Sequence, residues 1–196
     1  MTDSQPLPFW DTIYQDATAN DVFINTKASL IIRLWQLRRG IRNRPGFACV
    51  FWFRINHLIM KKGWRGGHWL RVRRQYRFAS NISPWATIGP GLFLPNPVDV
   101  MIGSSVVIGK NAGIYNGVTI EGTAIQGKPC LGDNVRVYTG AKVLGTQIIG
   151  NNVVIGALTL CKQDVPPDSI LYGVPPHMVL VNKDFPHRRS KLSDYP

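Results

Sequence analysis

The sequence contains few cysteines and histidines, and its N-terminus is acidic. Its 196 residues include three cysteines and four histidines, and Cys49, Cys130 and Cys161 are too scattered for a disulfide framework or a zinc site. The first residues carry Asp3 and Asp11 instead of a basic segment followed by an apolar one, so we expect no secretory signal. These features predict a protein of the reducing cytoplasm without a bound metal.

Acidic residues are missing between Asp21 and Asp99, whereas the segment 27–77 contains fourteen lysines and arginines. Tryptophan and leucine are interleaved with these cations, a pattern that suits a helix lying on an anionic membrane surface. A structural cap that packs on the rest of the fold and on neighbouring subunits is the alternative. Nucleic acid is not the expected partner, because no recognisable binding module accompanies the basic residues.

The same segment is predicted to be helical, because its apolar stretches at 29–36 and 47–60 are separated by Pro45 and followed by Gly63. Its longest unbroken apolar run covers residues 47–53. A transmembrane helix needs about twenty apolar residues. Membrane contact would therefore be peripheral, on the inner face of the plasma membrane.

The chain has an aliphatic residue at almost every sixth position over its second half. An interval of six fits neither a helix nor a simple strand, and it is the signature of a parallel β-helix. With three repeats closing a triangular coil, the twelve repeats predict about four coils stacked roughly 4.8 Å apart. The repeats begin at Ile82, Ile88, Leu94, Ile102, Ile108, Ile114, Ile120, Leu131, Val137, Val143, Ile149 and Ile155.

A second inward-facing residue is expected four places after the start of each repeat. A small or apolar side chain suits this position, because it also faces the crowded axis of the coil. The predicted residues are Ala86, Leu92, Val98, Val106, Ala112, Val118, Ala124, Val135, Ala141, Gln147, Val153 and Thr159.

Two interruptions of the repeat are candidate functional loops. The interval from Leu94 to Ile102 is eight, so two extra residues should bulge outward around Asp99. The interval from Ile120 to Leu131 is eleven, which inserts five residues. Binding groups are often found on loops that leave a rigid scaffold, although neutral insertions at coil corners would give the same spacing.

Five segments carry a resemblance to a known family. They resemble hexapeptide-repeat acyltransferases, most closely the serine-acetyltransferase-like branch that includes sugar O-acetyltransferases of capsule and exopolysaccharide synthesis. The similarity covers about residues 44–180 and departs from the family's closing motif at Pro176, where alanine is usual. The segments are SNISPWATIGPGLFLPNPVDVMIG, IYNGVTIEGT, GKPCLGDNVRVYTGAKVLG, IIGNNVVIGALTL and DVPPDSILYGVPPHMV.

The resemblance implies an all-β, left-handed parallel β-helix that forms a homotrimer and binds acetyl-CoA in a groove between adjacent subunits. Three parts are predicted: a basic, amphipathic helical region at 1–78, the β-helix at 79–163, and a closing motif and tail at 164–196.

The family's acid–base residues are replaced in this chain. In the family a histidine, oriented by a carboxylate, takes the proton of the acceptor hydroxyl; the matching positions are Asn96 for the histidine and Asn81 for the carboxylate. Two further histidines of some members correspond to Asn116 and Lys128. An amide has no basic lone pair at neutral pH, so an asparagine can position or donate but cannot act as base.

The register brings two of these positions together. Asn96 and Asn116 are twenty residues apart, two of which belong to the bulge, so one coil separates them and they should stack about 4.8 Å apart. Asp99 could replace the missing base if its pKa rose towards neutrality, and Lys128 could do so if its pKa fell by about three units. Transfer without a dedicated base, driven by positioning, is the third possibility.

The expected acyl-CoA contacts also follow from the resemblance. In the family the pantetheine arm lies along coil corners and basic residues meet the phosphates. The matching residues are Gly122, Ala141, Lys142, Ala157 and Lys162.

We therefore predict an acetyl-CoA-dependent O-acyltransferase whose acceptor is a sugar hydroxyl of a lipid-linked polysaccharide intermediate. Serine is a less favoured acceptor, because Lys128 replaces the histidine that serine enzymes carry there. Two alternatives belong to other classes: a catalytically silent trimer that acts as a scaffold, and a module that binds acyl-CoA or a nucleotide sugar without transfer.

Overall fold

The computed structural model describes residues 7–122, 127–173 and 175–180. Four helices precede a three-sided β-helix of about four coils. The helices are α1 (Phe9–Ala19), α2 (Leu30–Asn43), α3 (Pro45–Lys61) and α4 (Gly67–Phe78). Within the described ranges, no helix is long and apolar enough to cross a membrane.

Each side of the β-helix is one sheet, to which every coil adds a short strand. The first sheet has the order β1-β3-β6-β9-β12, the second β10-β7-β4-β2, and the third β14-β13-β11-β8-β5. All pairs are parallel except β13 with β14, which is antiparallel. The strands are β1 (Asn81–Ile82), β2 (Thr87–Ile88), β3 (Met101–Ile102), β4 (Val107–Ile108), β5 (Gly113–Ile114), β6 (Thr119–Glu121), β7 (Cys130–Leu131), β8 (Arg136–Val137), β9 (Lys142–Leu144), β10 (Ile148–Ile149), β11 (Val154–Ile155), β12 (Leu160–Cys161), β13 (Ser169–Tyr172) and β14 (His177–Leu180).

The six-residue repeat is confirmed as the organising pattern of the fold. All twelve aliphatic residues that begin a repeat are buried, and they stack in register, as Ile102 does on Ile120 and Ile120 on Val143. The predicted left-handed parallel β-helix with a helical N-terminal region is therefore correct.

One inward-facing residue was predicted wrongly. Val98 is 50% exposed, and Val100 takes its place in the core. Both extra residues of the first interruption come before the inward position, so the bulge covers residues 95–99 and the register resumes at Val100. Ala124, another predicted inward residue, lies outside the described residues.

The three corners of the coil carry different residues. The bulge corner joins the third sheet to the first and comprises residues 95–100, 115–118, 138–141 and 156–159. The insertion corner joins the first sheet to the second and contains residues 103–106, 122, 127–129, 145–147 and 162–164. The third corner carries a column of residues whose backbone φ is positive and whose side chains form hydrogen bonds from coil to coil: Asn111, Asn134, Asn152 and Asp168.

A buried ion pair attaches the helices to the first coil. Asp16 of α1 lies 2.8 Å from Arg54 Nε of α3, and both side chains are almost fully buried. The Asp16 carboxylate also accepts hydrogen bonds of 2.9 Å from the backbone N–H groups of Gly91 and Leu92. Arg54 donates to the carbonyls of Ile88 and Gly89. The two side chains therefore bind the backbone of the coil as well as each other.

Two further side chains bond to the same open edge of the first coil. Asn20 donates to the Leu92 carbonyl at 2.8 Å and accepts from the Leu94 N–H at 3.1 Å. Buried Arg74 of α4 donates to the Ile82 carbonyl, and its burial lowers the pKa of its guanidinium. These bonds hold the helices against the β-helix from Ile82 to Leu94.

A glycine allows α3 to approach the same coil closely. A Cβ on Gly46 would lie only 1.7 Å from the carbonyl oxygen of Leu94. Any side chain there would push α3 away from the coil, so glycine is required by the contact itself.

Replacing Arg54 by methionine is predicted to destabilise the protein. The change Arg54→Met leaves the Asp16 carboxylate buried without its cation and should lower the free energy of unfolding by about 3–5 kcal/mol. Urea unfolding followed by circular dichroism measures the loss. The control Arg38→Met removes an exposed cation of α2 and should change stability little. Equal stability of both variants would contradict this role of the ion pair.

Candidate functional site

The bulge corner brings together three of the predicted catalytic residues. Phe93 pairs with Gly113 at an interval of twenty residues, so Asn96 and Asn116 follow this pair on the same corner of adjacent coils. The Gly117 N–H donates to the Val98 carbonyl at 3.1 Å and fixes the bulge on the coil beside it.

Each asparagine uses its carbonyl oxygen within the protein. Asn96 Oδ1 accepts from the Val98 N–H at 3.3 Å, and Asn116 Oδ1 accepts from Thr139 Oγ1 at 3.1 Å. Neither side-chain nitrogen has an acceptor among the residues that the structure describes. Both carboxamides can therefore donate to a ligand at this corner.

Asp99 places a carboxylate against the coil that carries Asn116. Its backbone has a left-handed conformation, with φ of 56°, and its N–H donates to the Ala79 carbonyl at 2.8 Å. A Cβ on Gly117 would lie 3.8 Å from Asp99 Oδ2, so the carboxylate lies over that glycine. Asp99 is exposed in the protomer.

Lys142 is close to this group but is already bonded. Its ammonium donates at 2.8 Å to the Gly117 carbonyl and at 2.8 Å to Thr119 Oγ1. The sequence predicted an acyl-CoA contact for this lysine, whereas the structure places its charge on the coil that carries Asn116.

Asn81 lies at the start of the first sheet, beside the end of the bulge. It pairs with Met101 in β3, and its N–H donates to the Val100 carbonyl at 2.8 Å. The side chain is half-buried. The backbone of Asn81 is therefore bonded to the end of the bulge. Asn81 itself lies on the first sheet, beyond the corner that holds Asn96.

Three predicted residues lie on the insertion corner, at another edge of the β-helix. Lys128 and Lys162 are exposed there. Gly122 has no room for a side chain, because a Cβ on it would lie 2.7 Å from Ser105 Oγ and 3.0 Å from the Gly127 carbonyl oxygen. A single protomer therefore divides the predicted site between two edges.

Ala141 does not present its side chain to the corner. Its side chain is fully buried, because it occupies the second inward position of its repeat. Its N–H donates to the Tyr138 carbonyl and its own carbonyl accepts from the Thr119 N–H, both at 3.1 Å. Ala157, by contrast, is exposed on the bulge corner.

An aromatic column beside the bulge corner was missed in the sequence. The rings of Phe93 and Tyr115 are 6.0 Å apart in an edge-to-face contact, and those of Tyr115 and Tyr138 stack at 4.6 Å. The interval of twenty-three from Tyr115 to Tyr138 equals one coil with its insertion. Extending the register of the repeat would have found this pair.

The histidines and cysteines of the described ranges do not contribute to the bulge corner. His57 Nδ1 lies 2.7 Å from the Pro84 carbonyl, and the buried Cys49 and Cys161 have thiols whose pKa is raised by burial. Cys130, in β7, is half-buried. Among the described residues, no three histidine, cysteine or acidic side chains are placed to hold a metal ion.

The sequence is similar to curated serine acetyltransferases, although no family model matches it. The protein of Staphylococcus aureus is 40% identical over 146 residues, which are 68% of this chain and 68% of the relative. The protein of Staphylococcus epidermidis is 38% identical over the same length and the same shares.

Solved serine acetyltransferases have a similar fold. The enzyme of Neisseria gonorrhoeae superimposes with a TM-score of 0.72 at 31% identity, over 87% of this chain and 64% of its own. The present chain thus spans just under two thirds of that protein. The soybean enzyme complexed with serine gives 0.72 at 30% identity, and a serine acetyltransferase in complex with CoA gives 0.72 at 25%; each match covers 87% of this chain and 69% of the other.

The chain thus shares the β-helix of solved serine acetyltransferases and is 40% identical to a curated one over 68% of its length. The chain therefore belongs to the serine acetyltransferase family, the hexapeptide-repeat acyltransferases that take their acetyl group from acetyl-CoA.

Proposed function

We propose that this protein is an acetyl-CoA-dependent O-acyltransferase that works at the bulge corner on a hydroxyl of a sugar. The observation that carries the proposal is the placement of the Asp99 carboxylate over Gly117, the residue after Asn116, on the corner that also bears Asn96. One carboxylate and two carboxamides with free N–H groups make up a site that can take a proton and stabilise negative charge.

Asp99 would act as the general base. The carboxylate takes the proton of the acceptor hydroxyl as its oxygen attacks the thioester carbonyl carbon. The new C–O bond forms, the C–S bond breaks, and the proton passes to the departing CoA thiolate. The free N–H groups of Asn96 and Asn116 would donate to the oxygen that becomes negative during attack.

Assembly as a homotrimer would complete the site. The bulge corner and the insertion corner lie on different edges of one protomer, so a three-fold arrangement can place one against the other. Lys128 and Lys162 of the insertion corner are exposed cations that would meet the phosphates of acetyl-CoA. The neighbouring subunit and the bound acyl-CoA would also cover Asp99, which strengthens its interaction with the acceptor proton.

A sugar suits the chemistry of this corner better than serine does. Neutral hydroxyl groups both donate and accept, as Asp99 and the two asparagines require. A serine carboxylate would need a cation, and Lys142, which lies on this side of the β-helix, already donates to Gly117 and Thr119. Serine is nevertheless the second candidate acceptor, because the relatives are serine acetyltransferases and the soybean enzyme was solved with serine.

A lipid-linked glycan is the acceptor class that we propose. The basic segment 27–77 would keep the enzyme at the cytoplasmic face of the plasma membrane, where such an intermediate is exposed. Its charge supports this location, because it contains fourteen cations and no acidic residue.

An acceptor panel is predicted to separate the functions. Purified protein is incubated with acetyl-CoA and either glycans, nucleotide sugars or serine, and released thiol is measured. We expect release that depends on a sugar acceptor. Faster release with serine would make the protein a serine acetyltransferase. Binding of CoA without release of thiol would support a binding module. Absence of both CoA binding and thiol release would support a silent scaffold.

Replacing Asp99 by asparagine is predicted to slow the reaction strongly. Asparagine keeps the size and tolerates the left-handed backbone, so Asp99→Asn should fold normally while kcat falls about 10²–10⁴-fold. The control Asp133→Asn changes a carboxylate on the third corner, where it accepts from the Lys110 N–H. Undiminished turnover of Asp99→Asn would exclude Asp99 as base.

Introducing a histidine at position 96 is predicted to raise turnover. An imidazole in Asn96→His would supply a base with a pKa near 6.5 at the edge that carries Asn116. The gain should be largest in the Asp99→Asn background, where about 10²-fold or more of the lost rate should return. A matched Asn134→His, on the third corner, should restore nothing. Failure of Asn96→His to raise the rate in either background would place the reaction elsewhere.

A further inference from the structure

The apolar side chains of α2 are turned outwards in its first half. Ile31 is 81% exposed and Trp35 60% exposed, and these residues lie one helical turn apart on the same side of the helix. Leu30, Ile32 and Leu34 are also largely exposed. Only Leu37 and Gly40 of this helix are buried, so most of its apolar surface has no partner in the protomer.

Two hollows extend this surface to the neighbouring elements. The first, of about 530 Å³, brings exposed Phe23 next to Trp35 and Arg39. The second, of about 410 Å³, lies between α1 and α2 and is lined by Trp10, Leu30 and Leu34. We name the surface formed by Trp10, Phe23, Leu30, Ile31, Leu34 and Trp35 the α2 face.

Basic side chains surround the α2 face. Arg38, Arg39 and Arg42 are exposed on the second half of the helix, and the Arg39 guanidinium lies 5.6 Å from the centre of the Trp35 ring. Arg33 lines the second hollow; its Nη1 donates to Tyr14, but its Nε is buried without a partner among the described atoms.

Two acidic residues line the hollows of the α2 face in the part of the chain that the structure describes. Asp21 borders the first hollow and Asp11 the second, and the helix itself carries no acidic residue. The face as a whole is therefore apolar, aromatic and strongly cationic.

We propose that the α2 face docks the protein on an anionic lipid bilayer. The apolar residues would insert among the lipid headgroups, while the arginines, each contributing about 1 kcal/mol near such a surface, would attract the phosphates. Tryptophan is enriched at this boundary because it has an apolar body and a polar N–H group. Docking would bring the enzyme to a lipid-linked acceptor, and in that respect the inference rests on the proposed function.

A two-fold contact with a second copy of the chain suits the α2 face less well. A two-fold contact places the same patch against itself, so the arginines of one α2 would meet those of its partner with no carboxylate on either helix. Like charges opposed across a contact cost several kcal/mol. An anionic bilayer provides the opposite charge.

Flotation with lipid vesicles tests the proposal on the full chain. The protein should float with vesicles of phosphatidylcholine that contain phosphatidylglycerol and stay unbound with phosphatidylcholine alone. Raising the salt from about 0.05 M to about 0.5 M should release it, because the screening length shortens. Ile31→Ser combined with Trp35→Ser should weaken binding about tenfold or more, since both side chains lose apolar contact.

A matched pair of aromatic residues on α4 provides the control. Trp69 and Tyr76 are 63% and 86% exposed and also lie among arginines, so Trp69→Ser with Tyr76→Ser tests whether any aromatic and basic helix suffices. This variant should float as the unchanged protein does. Light scattering of every variant reports its oligomeric mass.

Three results would overturn the proposal. They are unchanged flotation of the Ile31 and Trp35 variant, equal binding of the unchanged protein to neutral vesicles, and absence of flotation of the unchanged protein. If it does not float, a smaller oligomer for the Ile31 and Trp35 variant would assign the α2 face to a contact between copies. Thiol release with a water-soluble acceptor should be unaffected by the α2 changes. A protein that floats as predicted but releases no thiol would refute the acyltransferase and leave the docking surface standing.

Discussion

The open edge of the first coil is the constraint on which the rest of the structure depends. The inner coils pair their backbone with neighbours on both sides, but the first coil has a neighbouring coil on one side only, and unpaired buried backbone groups are costly. Asp16, Asn20, Arg54 and Arg74 take the place of the missing coil by bonding to that edge. The helices therefore supply the hydrogen-bond partners that a preceding coil would provide. Their attachment ends at Leu94, two residues before Asn96.

This attachment could not be foreseen from the sequence, whereas the β-helix could. The repeat is a local pattern, and its aliphatic residues determine which side of each strand faces inward. The contact of Asp16 with Arg54 joins residues thirty-eight apart, and that of Asp16 with Leu92 joins residues seventy-six apart. No periodicity connects such positions, and the charge pattern revealed only that the helices are basic.

The site was predicted in part, and the differences have simple causes. The length of the first insertion is visible in the sequence, but Val98 and Val100 have the same side chain, so composition cannot tell which of them faces inward. Ala141 was assigned to a ligand although its place in the repeat makes it a core residue. Lys142 was expected to contact acyl-CoA, and in the protomer its ammonium donates to two oxygens of its own β-helix.

The antiparallel pairing of β13 with β14 has a consequence for solubility. A stack of parallel strands ends in a row of unpaired N–H and C=O groups, which can template the addition of another chain. Here the chain turns back after Tyr172, so the last strand of the third sheet, β14, runs against the direction of all the others. A second molecule cannot continue the parallel stack on this side without a change of direction. With helices against the first coil and a reversed strand at the end of the third sheet, the parallel stack of that sheet is covered at both ends.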